Sequence, residues 1–356
     1  MSIAQGTIVI AALEDEAPAE TAHALLREFG ISEEPSANCR WHGPQLVSLK
    51  TSRSVENEAL ERVEDLPGLR RLMTLPAAGQ LVKGDGPLSA HTRVELKGGV
   101  VIGTGSLAVM AGPCTVESES QVREAAEIVA EAGAKVLRGG VFKARSSPYS
   151  FGGLGERGLE LLAAAGEATG LPVVTEALEA SQLDVVSRYA DMIQIGSRNM
   201  QNFPLLFDAG AHPSGLPILL KRGLAATIQE FLQAAEYVLM GRIFGGHENA
   251  GVVLCERGIR TFDNSTRFTM DVGAIPVLQQ RCALPVIADP SHAAGARPLV
   301  APLGRASVAA GAEGLLVEVH PEPEKALCDG AQSLNPEEFR ALMRDIERFS
   351  VPTLRA

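Results

Sequence analysis

From residue 107 onward the chain repeats one alternation eight times: a short apolar run of strand type, then a stretch with helical spacing. The strand-like runs lie at 107–113, 135–141, 172–178, 191–197, 217–222, 251–257, 285–291 and 314–320. Helical stretches lie between and after them, near 118–132, 154–169, 179–189, 199–209, 227–240, 271–281, 298–310 and 335–349. The strand runs are almost continuously apolar, as strands of a parallel sheet buried on both faces are. Eight such pairs in about 240 residues match the size and rhythm of an α/β protein of the (β/α)8 TIM barrel class. An open doubly wound sheet is the alternative, disfavoured by the count of eight and because no G-x-G-x-x-G string follows a strand. Helix starts are marked locally. Ser118 with Gln121 and Thr227 with Glu230 have capping-box spacing. Asn335-Pro336 places a cap before a proline at the first helical position.

The preceding segment has a different pattern. Residues 7–11 and 45–50 are strand-like, 17–29 carry a helical stripe, and 57–74 hold leucines and a valine at helical spacing, with a helix expected to break or kink at Pro67-Gly68. Leu81-Val82 is expected to close a small sheet. This order predicts a small α+β ferredoxin-like domain over residues 1–85, a β-α-β-β-α-β unit with one strand not visible. Gly84-Asp85-Gly86-Pro87 is a turn-rich boundary. The barrel domain, 86–356, then opens with a hairpin of Val94-Glu95-Leu96 and Val100-Val101-Ile102 around Gly98-Gly99.

Formal net charge is -11, which argues against nucleic acid or an anionic membrane as the main partner. No apolar run is long enough to span a bilayer, and the first residues lack a basic region and signal core. Five cysteines, odd in number and widely spaced with no C-x-x-C pair, fit a reducing compartment. The expectation is a cytoplasmic protein.

Within this acidic chain, cations and acids gather where the strand runs finish. Arg138 and Lys143 follow the second run, Glu176 the third, Arg198 the fourth and Lys221 with Arg222 the fifth. Glu256 and Arg257 follow the sixth, Asp289 and His292 the seventh, Glu318 and His320 the eighth. A barrel brings all these ends to one face, where active sites are built. Arg138, Lys143, Arg145, Arg198, Lys221 and Arg257 form a cationic set that suits ligands carrying phosphate and carboxylate. Within residues 136–148, Gly139-Gly140 lets the backbone bend closely, and Ser146 and Ser147 add hydroxyl donors. A solvated basic loop is the plainer account of that stretch. Cys114, His292, Glu318 and Asp329 combine thiolate, imidazole and carboxylate, a donor set suited to Mn, Fe, Co or Zn. The plainer account there is a buried thiol, a hydrogen-bonded imidazole and two surface acids.

Several strings together carry a resemblance. Ala111-Gly112-Pro113-Cys114, Leu137-Arg138-Gly139-Gly140, Lys143-Ala144-Arg145-Ser146-Ser147-Pro148, Ile195-Gly196-Ser197-Arg198-Asn199, Leu220-Lys221-Arg222-Gly223, Cys255-Glu256-Arg257-Gly258-Ile259-Arg260-Thr261-Phe262, Asp289-Pro290-Ser291-His292 and Glu318-Val319-His320-Pro321 occur in order across residues 90–350. The set resembles the 3-deoxy-D-arabino-heptulosonate 7-phosphate (DAHP) synthases of type Iβ. By layout, the front segment is similar to the regulatory domain some members carry. The resemblance implies a metal-dependent barrel enzyme of the shikimate pathway. It condenses phosphoenolpyruvate with erythrose 4-phosphate and water to DAHP and phosphate, the first step toward chorismate and the aromatic amino acids. It implies Cys114, His292, Glu318 and Asp329 as metal ligands and Arg138, Lys143, Arg198, Lys221 and Arg257 as the phosphoenolpyruvate cradle. Arg145 and Ser146 are the implied aldose-phosphate contact, and Lys143 the proton donor to the new alkoxide. An aromatic amino acid effector at the front domain and a homotetramer are further implications.

The chain departs from that pattern at four places. Ala144 stands for a proline, Ser146 for a threonine, Cys328 for a serine and Ala331 for a proline. Cys328, beside an implied ligand, could compete for the metal, pair with Cys114 on oxidation, or be a bystander. Three other functions stay open on sequence: a 3-deoxy-octulosonate 8-phosphate synthase using arabinose 5-phosphate, a Schiff-base aldolase with Lys221 or Lys143 as nucleophile, and a non-catalytic amino-acid sensor. The first typically has one more residue between the corresponding Lys and Arg than Lys143-Ala144-Arg145 shows.

Overall fold

The computed structural model describes residues 4, 7–14, 17, 19–29, 31, 39–41, 46–51, 54–75, 81–84, 88, 93–103, 105, 107–144 and 149–348. The chain forms two compact units, Met1–Pro87 and Leu88–Ala356.

The first unit runs β1 (Ile8–Leu13), α1 (Ala19–Glu28), β2 (Cys39–Trp41), β3 (Leu46–Lys50), α2 (Asn57–Glu64) and β4 (Leu69–Leu75). Its sheet has the order β2-β3-β1-β4 with every pairing antiparallel, the split β-α-β layout of the ferredoxin-like class. Alternate residues of β1 (Val9, Ala11 and Leu13) pack against Leu25 of α1, Phe29 just after it and Val63 of α2. Two sequence expectations are corrected here. The helix expected over 57–74 stops at Glu64, and Leu69–Leu75 is a strand. Gly68 has φ +79, a left-handed turn that a helix cannot continue. Leu66 in the turn and Leu69 and Leu72 beyond it reach the same core as Val63, which is why their spacing imitates a helix. Leu81 and Val82 lie in a single 3₁₀ turn and close no sheet. The strand that the sequence hides is the three-residue β2.

The second unit starts with a hairpin of β5 (Arg93–Leu96) and β6 (Val100–Gly103). Eight strands follow: β7 (Ala108–Gly112), β8 (Val136–Arg138), β9 (Val173–Glu176), β10 (Met192–Ile195), β11 (Ile218–Lys221), β12 (Val252–Glu256), β13 (Val286–Ala288) and β14 (Gly314–Glu318). All pair in parallel and close, β14 returning to β7 through Leu315↔Val109 and Val317↔Ala111. The helices are α3 (Glu119–Glu131), α4 (Gly155–Thr169), α5 (Leu183–Ser187), α6 (Phe203–Ala211), α7 (Ile228–Phe244), α8 (Ala274–Arg281), α9 (Pro290–Ala294), α10 (Arg297–Ala309) and α11 (Pro336–Ile346). Each strand sends at least one apolar side chain into a shared interior, among them Met110, Val136, Val174, Met192, Leu219, Val253, Ile287 and Leu316. Val94, Leu96 and Ile102 of the hairpin join that cluster, and the turn at Gly98 lies against Gly170, just before β9. The hairpin therefore covers the end opposite the strand C-termini and leaves the other mouth for chemistry.

Caps hold the long helices. Thr227 with Glu230 and Asn335 with Glu338 form complete capping boxes. At α3 the Ser118 hydroxyl accepts from the Gln121 N–H, but the Gln121 side chain accepts from Glu117 N–H instead of closing the box. No described helix is long and apolar enough to cross a membrane.

Candidate active site

The mouth at the strand C-termini holds a cavity of about 220 Å³. Six of its lining residues are Arg or Lys: Arg138, Lys143, Arg198, Lys221, Arg257 and Arg267. Only Glu176 and Asp329 are acids, so the mouth is positive within a chain of net charge -11. His292 completes the wall toward Asp329. Of the cationic set expected from sequence, five members meet here. Arg145 and Ser146 lie outside the described residues.

Two glycines let the first strand ends come together. Gly112 has φ +149, and a Cβ there would stand 2.2 Å from the Arg138 carbonyl. At Gly140 a Cβ would stand 2.7 Å from the Cys114 carbonyl, an atom that accepts the Gly140 N–H at 3.1 Å. Any larger residue would push the Cys114 turn away from Arg138 and Lys143. As built, Lys143 Nζ donates to Cys114 Sγ at 2.8 Å and lies 4.0 Å from Asp329 Oδ2.

The cations are not equally engaged. Arg138 donates to the Pro113 carbonyl at 2.8 Å and to Glu318 Oε1 at 3.2 Å. Lys221 pairs with buried Asp289. Arg257 is different. Its Nε and Nη1 are buried without a hydrogen-bond partner, while its guanidinium stacks 4.0 Å over the Phe268 ring. Burial lowers its pKa, and orphaned donors of this kind cost stability unless an anion meets them. The mutual repulsion expected of six crowded cations is thus partly cancelled by Glu318 and Asp289. Arg222, Glu256 and His320 also end strands but serve other contacts. Arg222 binds Glu256 at 2.7 Å and Asp271 at 2.8 Å, and His320 faces Glu117 at 3.7 Å.

Beside the cationic wall lie two overlapping donor groups. His292, Glu318 and Asp329 place one ligand atom each within 4.8 Å of one another, and so do Cys114, Cys328 and Asp329. Asp329 is common to both, and Cys114 enters through the second. Burial drives the His292 imidazole down to about 4, so the ring is neutral at neutral pH. Its Nδ1 bonds Asp289 Oδ2 at 2.8 Å, leaving Nε2 against Glu318 Oε1 at 3.4 Å. A neutral ring that donates through Nδ1 turns a lone pair toward a carboxylate oxygen, two acceptors with no proton between them. A cation satisfies both, so the residues present fit a divalent metal. Burial works against the Glu318 and Asp329 charges, but Arg138 and Lys143 hold Glu318 low, and Lys143 and Arg267 hold Asp329 at about 2. Both are anionic donors at neutral pH. Burial pushes the Cys114 thiol up, and the hydrogen bond from Cys114 holds Cys328 at about 6.

The profile of the DAHP synthetase I family matches residues 90–350. The chain belongs to this family. Phospho-2-dehydro-3-deoxyheptonate aldolase of Thermotoga maritima is 51% identical over 253 residues, covering 71% of this chain and 72% of that protein. The crystal structure of a DAHP synthase from Thermotoga maritima superposes with a TM-score of 0.72 at 41% identity, covering 96% of each chain. A more distant family relative, 2-dehydro-3-deoxyphosphooctonate aldolase of Nitrobacter hamburgensis, is 32% identical over 262 residues, 68% of this chain and 88% of that protein.

Two further residues at this site escape the strand-end pattern. Arg267 sits in a loop and Gln332 ends a 3₁₀ turn, Gly330–Gln332. Gln332 donates to Glu318 Oε2 at 2.5 Å and accepts from Arg267 Nη1 at 2.8 Å, tying the donor cluster to the cavity wall. Arg267 falls five residues after the Gly-Ile-Arg-Thr-Phe string, and Gln332 three after Asp329; nothing in their spacing marks them.

Proposed function

We infer that this protein is a DAHP synthase. Carbon 3 of phosphoenolpyruvate bonds to the aldehyde carbon of erythrose 4-phosphate, water adds at carbon 2, and phosphate leaves by C–O cleavage. The observation that carries the reading is the buried Arg257 guanidinium, with two donors unpartnered, in a cationic mouth beside the His292, Glu318 and Asp329 cluster. Arg138, Lys143, Arg198, Lys221 and Arg257 bind the phosphate and carboxylate of phosphoenolpyruvate. Arg145 and Ser146 take the aldose phosphate. Cys114, His292, Glu318 and Asp329 hold the divalent ion, of Mn, Fe, Co or Zn type. When bound, that ion supplies Lewis-acid polarisation of the aldehyde oxygen.

Lys143 gives the proton to the new alkoxide. Burial opposes its charge, but Cys114 and Glu318 outweigh burial and hold its pKa above the ordinary lysine value. A lysine kept protonated is a proton donor and a poor Schiff-base nucleophile. Lys221, paired with Asp289 in a buried site, is no better suited.

Phosphoenolpyruvate consumption with erythrose 4-phosphate or arabinose 5-phosphate, each with and without chelator, tests the reading. Turnover with erythrose 4-phosphate that chelator abolishes is expected. Faster turnover with arabinose 5-phosphate would move the protein to the octulosonate branch, and chelator-insensitive turnover that borohydride traps would make it a Schiff-base aldolase. The first unit serves allosteric control by an aromatic amino acid. Inhibition by tyrosine or phenylalanine, lost on deleting residues 1–85, is the expected result. The protein works as a cytoplasmic homo-oligomer, a tetramer, which light scattering of the purified chain checks.

A further inference from the structure

We propose that Cys328 is an additional ligand of the cation, so that this chain presents a two-thiolate centre selective for thiophilic ions. The inference rests on the divalent-cation reading above and adds a donor to it.

Cys328 Sγ lies 3.4 Å from Cys114 Sγ, and Cys114 Sγ lies 3.3 Å from Asp329 Oδ2. Both cysteines are buried. Asp329 also belongs to the His292 and Glu318 group, so its carboxylate links the two sets of donors. Two thiolates on a tetrahedral zinc, each at about 2.3 Å, stand roughly 3.8 Å apart. The observed sulfur separation needs only a small spread to reach that.

The backbone aims both side chains at Cys114. Asp329 has φ +52 and is the only non-glycine residue with positive φ among the described residues. For a residue with a Cβ this conformation is uncommon and survives where its surroundings hold it. They do so here. Glu117 Oε1 accepts the Leu327 N–H at 2.8 Å, and the Asp329 carbonyl accepts from Ser333 Oγ at 3.1 Å and from the Gln332 N–H at 3.2 Å. At Gly330 a Cβ would stand 2.2 Å from the Pro323 carbonyl, so the turn can approach only there. Consecutive residues Cys328 and Asp329 thus face the same partner.

The chemical consequence is selectivity. One sulfur with a nitrogen and two carboxylates makes a borderline site, open to Mn. A second thiolate shifts the preference to Zn or Cd.

The test strips the full-length protein of metal, reloads it with one equivalent of Zn²⁺ and counts sulfur neighbours by X-ray absorption. Two sulfurs at about 2.3 Å are expected in the unmodified chain and one in Cys328→Ser. In competition between Zn²⁺ and Mn²⁺, Cys328→Ser should lose preference for Zn²⁺ by about tenfold or more. One sulfur in the unmodified chain overturns this inference and leaves the divalent-cation reading standing. No bound Zn²⁺ in the unmodified chain overturns both. The sulfur count needs no variant, so a folding defect in Cys328→Ser does not blur the answer.

Discussion

Asp289 grips His292 at two points. Its Oδ1 accepts the His292 backbone N–H at 2.9 Å and its Oδ2 meets ring Nδ1 at 2.8 Å. The same Oδ2 takes the Lys221 ammonium. One fully buried carboxylate therefore sets the tautomer of a proposed ligand and anchors a proposed phosphoenolpyruvate contact.

Asp289→Asn should damage both. A neutral amide cannot hold a ring N–H and an ammonium at one oxygen with equal strength. We expect metal affinity to fall by about 10–100-fold, as loss of an outer-shell partner does, and the KM for phosphoenolpyruvate to rise. Metal titration of the stripped variant and steady-state kinetics read the two effects. Unchanged affinity would show that Asp289 does not orient His292.

Arg257→Met should separate binding from stability. The orphaned guanidinium nitrogens disfavour the ligand-free fold, so the apolar replacement should leave the melting temperature unchanged or raise it. Charge-assisted contacts of about 1.5–3 kcal/mol are lost to the substrate, so KM for phosphoenolpyruvate should rise roughly 10–100-fold. A clear drop in melting temperature with unaltered KM would assign Arg257 a structural role.

Lys143→Met removes the proton donor while keeping a chain of similar length. Turnover should fall by about 10²–10⁴-fold, the usual worth of general acid catalysis. Metal content should be retained, because all the proposed ligands remain. Full activity would exclude Lys143 as the acid, and lost metal would point to a role in shaping the cluster.

The His292 ring sets a pH window. Its folded pKa, about 4, lies below the unfolded value of about 6.5. The unfolded chain then binds more protons between these values, so stability is fully present above about pH 6.5 and falls as pH drops toward 4. For the metal-free protein this single group contributes a slope of up to about 1.4 kcal/mol per pH unit in that window. Denaturant titrations of the wild type and His292→Gln across pH 7 to 4 should show a shallower loss in the variant. Parallel curves would mean that His292 titrates normally.

Much of the barrel was legible because its signal is local and repeated. Each strand from β7 to β14 is an apolar run flanked by a helix, and Gly, Pro and cap residues mark the breaks. The first unit was harder. Leu66, Leu69 and Leu72 keep helical spacing across Pro67-Gly68, yet they pack as a turn and a strand. Periodicity alone cannot distinguish these when a turn carries the same face back to the core. β2 has three residues, too few for any period to show.

At the site, Arg138, Lys143, Lys221, Arg257 and His292 could be chosen from sequence because a barrel sends every strand end to one mouth. Their states could not. That Lys221 is spent on Asp289 while two nitrogens of Arg257 stay unpartnered depends on contacts between residues dozens of positions apart. Gln332, which bridges Glu318 and Arg267, has no local mark at all.

By itself the sequence determined the barrel, the family strings and the chemical types gathered at one face, since these follow from short-range patterning and from closure of eight strands. Only the tertiary structure decided which charges neutralise one another, which donors await an anion, and that Cys328 and Asp329 turn together toward Cys114. Those outcomes rest on distances of a few ångströms between loops far apart in the chain, where hydrogen-bond and ion-pair strength changes steeply with position.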